Sequence, residues 1–367
     1  MTPQPRPSYG LFFVTLLGMA LAGSLMIWIA TGPWGMGTNT DSANYIAGAR
    51  NMLAGHGYSN FASRSPITHW PPFLSFSLAI IGLLGIDPLE GARPLNSALF
   101  GLNLLLVGFI LLKLTGSAWA ALAGAFFMIT SKSMLIIHTW VCSEPWFIFF
   151  SFISLFLLTR FLKENRFQFF ILSAILAALA CLDRYAGLSV IAAGVILILF
   201  FYSDDFWRRV KAALLYFTIS FIPPALWMIR NHVLKNDPVG RKFYLQSLSP
   251  NYFRDILDTV SQWILPASIP ASWRYAVLLG FCFVLGAAIA ALLRRKTNGQ
   301  SFKIPASSSA FIFISSLVIF STCVLILHLS LHLFVNASVR ADHRHFSPVF
   351  VAGLLSLIIL TQRFLKI

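Results

Sequence analysis

Apolar residues run along this chain in long blocks separated by short polar connectors. Blocks of roughly 17 to 25 residues match a hydrocarbon core about 30 Å thick at 1.5 Å of rise per helical residue. They predict about ten membrane-crossing helices, near residues 11–31, 94–113, 117–138, 143–162, 167–183, 186–202, 212–230, 274–293, 306–333 and 346–363. Backbone in lipid must satisfy its own hydrogen bonds, and runs this continuous do so as helices. The shorter apolar stretch 71–86 opens with Pro71-Pro72 and ends in a Gly-rich turn, so it is expected to lie along or dip into the membrane surface without crossing.

Composition excludes a soluble globule: 57% of residues are hydrophobic and 11% charged, the latter about half the usual share. The net charge of +15 would point to nucleic acid in a soluble protein. Here the basic residues occupy connectors, where orientation and lipid phosphate account for them, and no nucleic-acid partner is expected. Arg6, the groups Arg160/Lys163/Arg166, Arg208/Arg209/Lys211 and Arg294/Arg295/Lys296, and Arg363/Lys366 all fall on one side, which the positive-inside rule makes cytoplasmic. The long loops 32–93 and 231–273 then face outward, and nine of the twelve acidic residues, Glu144, Asp183 and Asp342 of the shorter connectors included, fall on that side, so the working face is expected to be extracytoplasmic. Cys142, Cys181, Cys282 and Cys323 lack metal-ligand spacing and read as small apolar residues. The first block is longer than a signal-peptide core and is expected to stay as an anchor. No repeat or separate soluble domain interrupts 1–367, which reads as one domain.

The candidate chemistry lies on the outward side. Asp41 begins an amphipathic segment in which Tyr45, Ala49, Met52 and Leu53 share one face and Asp41, Asn44 and Arg50 can face elsewhere. Asp41 is either a helix N-cap or a general base. Ser65-Pro66-Ile67-Thr68-His69-Trp70-Pro71-Pro72 is a stiff turn presenting His69 and Trp70, with anchoring at headgroup level as the alternative role of Trp70. Glu144 opens a span, where an acid also complements the helix dipole. Asp183-Arg184-Tyr185 joins two spans; it is either an interfacial turn or part of a polar cavity. Arg184, Arg230, Arg340 and Arg344 form a possible anion site, since a guanidinium fork matches phosphate oxygens, with lipid-headgroup contact as the alternative for each singly. His328 and His332, four apart, with His343 and His345 beyond, lack a neighbouring acid or Cys, and no metal or cofactor is expected. Asn336-Ala337-Ser338 is a formal glycosylation sequon.

The order of these motifs resembles polytopic glycosyltransferases of the GT-C fold, especially bacterial relatives of the protein O-mannosyltransferases, the lipid A aminoarabinose transferases and the core-sugar transferases of lipopolysaccharide. The matching residues are Asp41-Ser42-Ala43-Asn44-Tyr45 with the segment to His56 and Tyr58, Thr68-His69-Trp70-Pro71-Pro72, Ala92-Arg93-Pro94-Leu95-Asn96, Ser143-Glu144-Pro145, Arg184-Tyr185-Ala186-Gly187, Trp227-Met228-Ile229-Arg230-Asn231 and Arg344-His345-Phe346-Ser347-Pro348. The resemblance implies an all-α polytopic membrane protein, a GT-C-like bundle with juxtamembrane helices in the first outer loop, seated in the inner or plasma membrane. It implies transfer of a sugar from a polyprenyl-phosphate carrier to an extracytoplasmic glycan, lipid or protein. Asp41 would be the catalytic carboxylate, with Tyr45, His56, Tyr58, His69, Trp70, Glu144, Asp183, Arg184, Tyr185, Arg230, Asn231, Arg344 and His345 binding substrate. Many O-mannosyltransferases carry a second acid where this chain has Ser42, which argues against a close relationship to them and leaves the acceptor open. A single carboxylate and a lipid-phosphate leaving group suit one inverting step. A transporter or flippase for a lipid-linked substrate could use the same basic cavity, as could an inactive accessory member; internal symmetry and broken mid-membrane helices, which would favour transport, are not visible in the sequence.

Overall fold

The computed structural model describes residues 9–294, 308–335 and 339–364. Among them the regular elements are all helical: α1 (Tyr9–Ala30), α2 (Thr40–Leu53), α3 (Phe73–Gly82), α4 (Pro88–Thr115), α5 (Ala118–Thr130), α6 (Lys132–Thr139), α7 (Glu144–Glu164), α8 (Phe167–Asp183), α9 (Leu188–Phe201), α10 (Phe206–Lys235), α11 (Tyr252–Ser261), α12 (Ala271–Arg294), α13 (Ser309–Phe334) and α14 (His343–Phe364). A 3-10 turn, Tyr185–Gly187, leads into α9. Arg6, Arg295, Lys296, Lys366 and the sequon at 336–338 lie outside the described residues.

Each predicted crossing falls on helix, with three differences. The second begins at Pro88 and not near 94, because the Asp87 carboxylate accepts from Leu89 N at 2.9 Å and Pro88 fills an opening position that needs no donor. Pro94, read from the sequence as a start, lies inside α4. The block 117–138 is two helices: Ser131 adopts extended backbone, its hydroxyl caps α6, and α5 and α6 meet at a bend of 61°. By length and apolarity six described helices can cross a membrane, or seven with the bent pair as one; the remaining three predicted crossings are shorter apolar helices, Phe167–Asp183, Tyr185–Phe201 and Ala271–Val284. The 10 residues of α3 span roughly 15 Å, half a hydrocarbon core.

The core runs through α1, α4–α10, α13 and α14, with the rings of Phe100, Phe147, Phe152, Phe170, Phe313 and Phe320 fully buried. Between helices in lipid, close packing and hydrogen bonds hold where a hydrophobic driving force is weak. One such bond set joins three helices: Ser154 Oγ of α7 donates to Ser173 O of α8 at 2.9 Å, and Ser173 Oγ meets the buried Tyr216 hydroxyl of α10 at 3.1 Å.

A second, smaller cluster of Met36, Tyr45, Ile46, Ala49, Leu74, Leu78, Ala79, Ala92 and Val141 seats α2 and α3 on the start of α4. Arg50 pins α2 to the cap of α4 through a two-pronged pair with Asp87, at 2.9 and 2.8 Å. Gly37 N donates to Thr139 O, and Val141 N to Gly37 O, both at 2.9 Å, tying the chain before α2 to the connector before α7. Asp41 and Glu144, far apart in sequence, are thereby brought within reach of one arginine, Arg344.

Candidate active site

The cap of α2 is Asn39, not Asp41. Asn39 Oδ1 accepts from Ser42 N at 3.0 Å while Ser42 Oγ accepts from Asn39 N at 3.1 Å, a reciprocal capping box. The capping reading of Asp41 is thereby corrected. Ser42, where many O-mannosyltransferases would carry an acid, is fully buried, and its hydroxyl also donates to Val141 O at 2.6 Å.

Asp41 is free for other work, its side chain 39% exposed. Each carboxylate oxygen has one partner: Trp70 Nε1 donates to Oδ1 at 3.0 Å and Arg344 Nη2 to Oδ2 at 3.1 Å. Arg344, from the start of α14, also donates through Nε to Glu144 Oε1 at 3.1 Å. Arg184 closes on the same Glu144 oxygen from the α8–α9 turn. Glu144 opens α7, ahead of Pro145 and fully buried, and its Oε2 has no hydrogen-bond partner. A lone buried carboxylate is costly, and two guanidinium groups offset that cost. Asp41, Arg344, Glu144 and Arg184 thus form one chain of alternating charge. Asp183 is fully buried with neither oxygen hydrogen-bonded, and Arg184 turns from it to Glu144. Tyr45 is buried beneath the cluster, its hydroxyl 3.4 Å from Ser143 Oγ, and burial pushes its phenol well up from the usual value.

A second layer joins the two long loops. Arg230 does not converge on Glu144 with Arg184 and Arg344, as its motif suggests. It donates to Ile67 O at 2.7 Å and Asn231 Oδ1 at 2.9 Å and stacks on Trp227, holding first-loop backbone in place. Asn231 Nδ2 reaches Thr68 O and Pro238 O, both at 3.2 Å, and the Tyr185 hydroxyl donates to Thr68 O at 3.3 Å. The Tyr58 hydroxyl donates to Trp70 O at 3.2 Å. Its ring lies where a Cβ on Gly48 would stand, so α2 passes this close only with glycine there. His69 Nδ1 lies 2.9 Å from Gly240 O. Burial and then the nearby Arg241 charge lower its pKa.

Three predicted residues stand apart. His56 is exposed on a turn between Gly55 and Gly57, both at positive φ. His345 contacts Asp342 Oδ1 through Nδ1 at 2.8 Å and faces His328, which makes it part of the α14 start. Arg340 is exposed. Three further histidines bind protein groups: His328 meets the Tyr252 hydroxyl at 3.0 Å, His332 accepts from Ser249 N at 3.2 Å, and His343 meets Ser133 Oγ at 2.8 Å.

One basic residue escaped the sequence reading. Arg241 sits in the second long loop, within electrostatic reach of Tyr185, Asp41, Tyr45 and Arg184, and burial lowers its pKa. Its buried Nε has no hydrogen-bond partner. Gly240, at φ +67°, makes this placement possible: a Cβ there would stand 2.7 Å from His69 N. The signal available in sequence was the turn Asp237-Pro238-Val239-Gly240 immediately before it, with Asp237 Oδ1 accepting from Val239 N and Gly240 N at 3.1 and 2.8 Å.

The comparisons agree with this architecture. Residues 83–233 match the family model of dolichyl-phosphate-mannose-protein mannosyltransferases. Among solved structures, the chain is similar to ArnT from Cupriavidus metallidurans bound to undecaprenyl phosphate, with TM-score 0.54 and 15% identity over 94% of this chain and 59% of that one. It is also similar to the oligosaccharyltransferase AglB from Archaeoglobus fulgidus in complex with an inhibitory peptide and a dolichol-phosphate, with TM-score 0.50 and 15% identity over 96% of this chain and 50% of that one. No curated protein sequence matches. Helical architecture, motif order, the family-model match and these structural neighbours together identify the chain as a polytopic membrane protein of the GT-C glycosyltransferase fold.

Proposed function

We propose that this chain transfers a sugar, with inversion, from a polyprenyl-phosphate carrier to an acceptor hydroxyl on the extracytoplasmic side of the membrane. The observation that carries the reading is Asp41: a half-exposed carboxylate, relieved of capping by Asn39 and oriented by Trp70 and Arg344. The undecaprenyl phosphate bound by ArnT and the dolichol-phosphate bound by AglB support a lipid phosphate as the donor's leaving group.

The chemistry follows from the charges. Asp41 takes the acceptor hydroxyl proton as the oxygen attacks the anomeric carbon. The bond from that carbon to the phosphate oxygen breaks, and the lipid phosphate leaves with the electron pair. Arg241, whose buried Nε has no protein partner, supplies donors to the phosphate, while Arg184 and Arg344 add positive field behind it. Glu144 holds both of those guanidinium groups, so its role is positioning. His69 and Trp70, on the stiff turn, line the sugar side, and the acceptor is a glycan, lipid or protein of the cell envelope.

Mass spectrometry of envelope glycolipids and glycoproteins from a deletion strain against its parent tests this reading. The expected result is loss of one sugar from one acceptor class. Loss of that sugar with the donor trapped in the inner leaflet would instead indicate lipid transport, and unchanged envelope sugars would contradict the reading.

A further inference from the structure

The second long loop carries an apolar surface that the site does not use. Helix α11 is sharply two-faced. Toward the bundle, Tyr252 binds His328 and lies against the His332 ring at 4.4 Å, and Thr259 Oγ1 donates to Ala341 O at 2.6 Å. Away from the bundle, Phe253 (61% exposed) and Leu257 (46%) fall at helical spacing with the half-buried Val260 beside them, and Ile264 (40%) continues the stripe past the helix end. The preceding strap adds Phe243, Tyr244 and Leu245, all exposed. It is tied to the end of α13 by Tyr244 N donating to Phe334 O at 2.9 Å and Gln246 N to Leu333 O at 2.8 Å.

The depth of this surface follows from α13. Its 26 residues span roughly 39 Å, about 9 Å more than a hydrocarbon core. Both of its histidines lie at the end that holds the strap, two and six residues before Phe334, or roughly 3 and 9 Å down the axis. Since Tyr252 is bonded at that level, the start of α11 lies beside the last two turns of α13, a level that a hydrocarbon core centred on α13 puts near its headgroup boundary. The neighbouring spans also present apolar groups outward: Ile326, Leu329 and Phe334 of α13, and Trp273 and Val277 of α12, are exposed. Asp258 locks α11 to α12 by pairing with Arg274 at 3.0 Å and accepting from the Tyr275 hydroxyl at 2.8 Å.

We propose that α11 and the strap 243–245 are an interfacial lipid-binding ledge, with Phe253, Leu257, Val260 and Ile264 inserted among the acyl chains of the leaflet on the Asp41 side. A helix with this division of faces binds a lipid surface in proportion to the apolar area it buries. The ledge also bears on the site. Through Thr259 and Ala341 it holds the chain leading into α14, where Arg344 grips Asp41.

The proposal does not depend on the transferase reading, and neither does its test. In a Cys282→Ser, Cys323→Ser background, Leu257→Cys and, separately, Phe253→Cys are labelled with an environment-sensitive nitrobenzoxadiazole dye and reconstituted into phosphatidylcholine nanodiscs. Arg64→Cys, at an exposed position of positive φ beside Ser63 and Ser65, is the water-facing reference. The expected result at 253 and 257 is a blue-shifted emission relative to residue 64, strong quenching by doxyl-labelled lipid and little by aqueous iodide. Emission and iodide quenching equal to those at residue 64 would overturn the proposal. Blue-shifted emission insensitive to both quenchers would overturn it too, showing the stripe covered by protein, such as a second copy. Using two label positions guards against one variant failing to fold.

Discussion

At the scale of single residues, the environment of Asp41 is the most informative feature. A carboxylate in a chain so poor in acids was legible as a candidate, but its two readings were not separable from sequence. Asn39 and Ser42 separate them, because the cap is made without Asp41. Trp70 was legible as a motif residue, and its indole proves to be the group that fixes Asp41 Oδ1. Trp70→Phe keeps the ring and removes the donor. A hydrogen bond to a charged group contributes about 1.5–3 kcal/mol, so the variant should lose roughly tenfold or more in kcat. Donor KM should change little, which steady-state kinetics on purified enzyme would resolve. Arg241 was not legible, since its importance arises from a loop folding back 171 residues onto His69, a contact that no local pattern encodes.

At the scale of elements, long apolar blocks marked the helices well, and the misreadings have physical causes. Pro94 reads as a boundary, yet α4 was already nucleated by Asp87 and Pro88. Ser131 is one polar residue in an apolar block, and its capping hydroxyl is enough to divide the block into α5 and α6. Arg93 and Asn96, quoted among the family-like motifs, turn out to brace elements: Arg93 Nη2 donates to Trp28 O at 2.7 Å at the end of α1, and Asn96 Nδ2 to Trp140 O at 2.7 Å. The docking of the two long loops is the element-level arrangement on which the site depends. Gly240→Ala tests it, because alanine at φ +67° is strained and its Cβ meets His69 backbone. The expected outcome is a several-fold rise in donor KM as Arg241 shifts, with thermal stability of the bundle changed by only about 1–3 kcal/mol. Equal catalytic parameters for the variant and wild type would show that the loop contact does not place Arg241.

At the scale of the whole molecule, sequence charge gives an orientation that geometry alone does not. Clusters of Arg and Lys in the short connectors on one side predict that the loops 32–93 and 231–273 both face away from the cytoplasm. Single cysteines at Ser117 and Ser203, on the opposite side in this arrangement, should resist an impermeant thiol reagent in intact cells and react after permeabilisation. Reaction in intact cells would reverse the assignment and move the site to the cytoplasmic face. The chain spans 59% of the ArnT chain and 50% of the AglB chain that it resembles.

The central claim is that Asp41 is the base. Asp41→Asn preserves shape and can still accept from Trp70, but it cannot take a proton. Sugar transfer from a polyprenyl-phosphate donor by the purified variant should fall by roughly 10²- to 10⁴-fold, with unfolding behaviour close to wild type because the α2 cap is untouched. Transfer near the wild-type rate by well-folded Asp41→Asn enzyme would contradict the account and shift the search for the base to Asp183, the buried carboxylate without a hydrogen-bond partner beside Arg184.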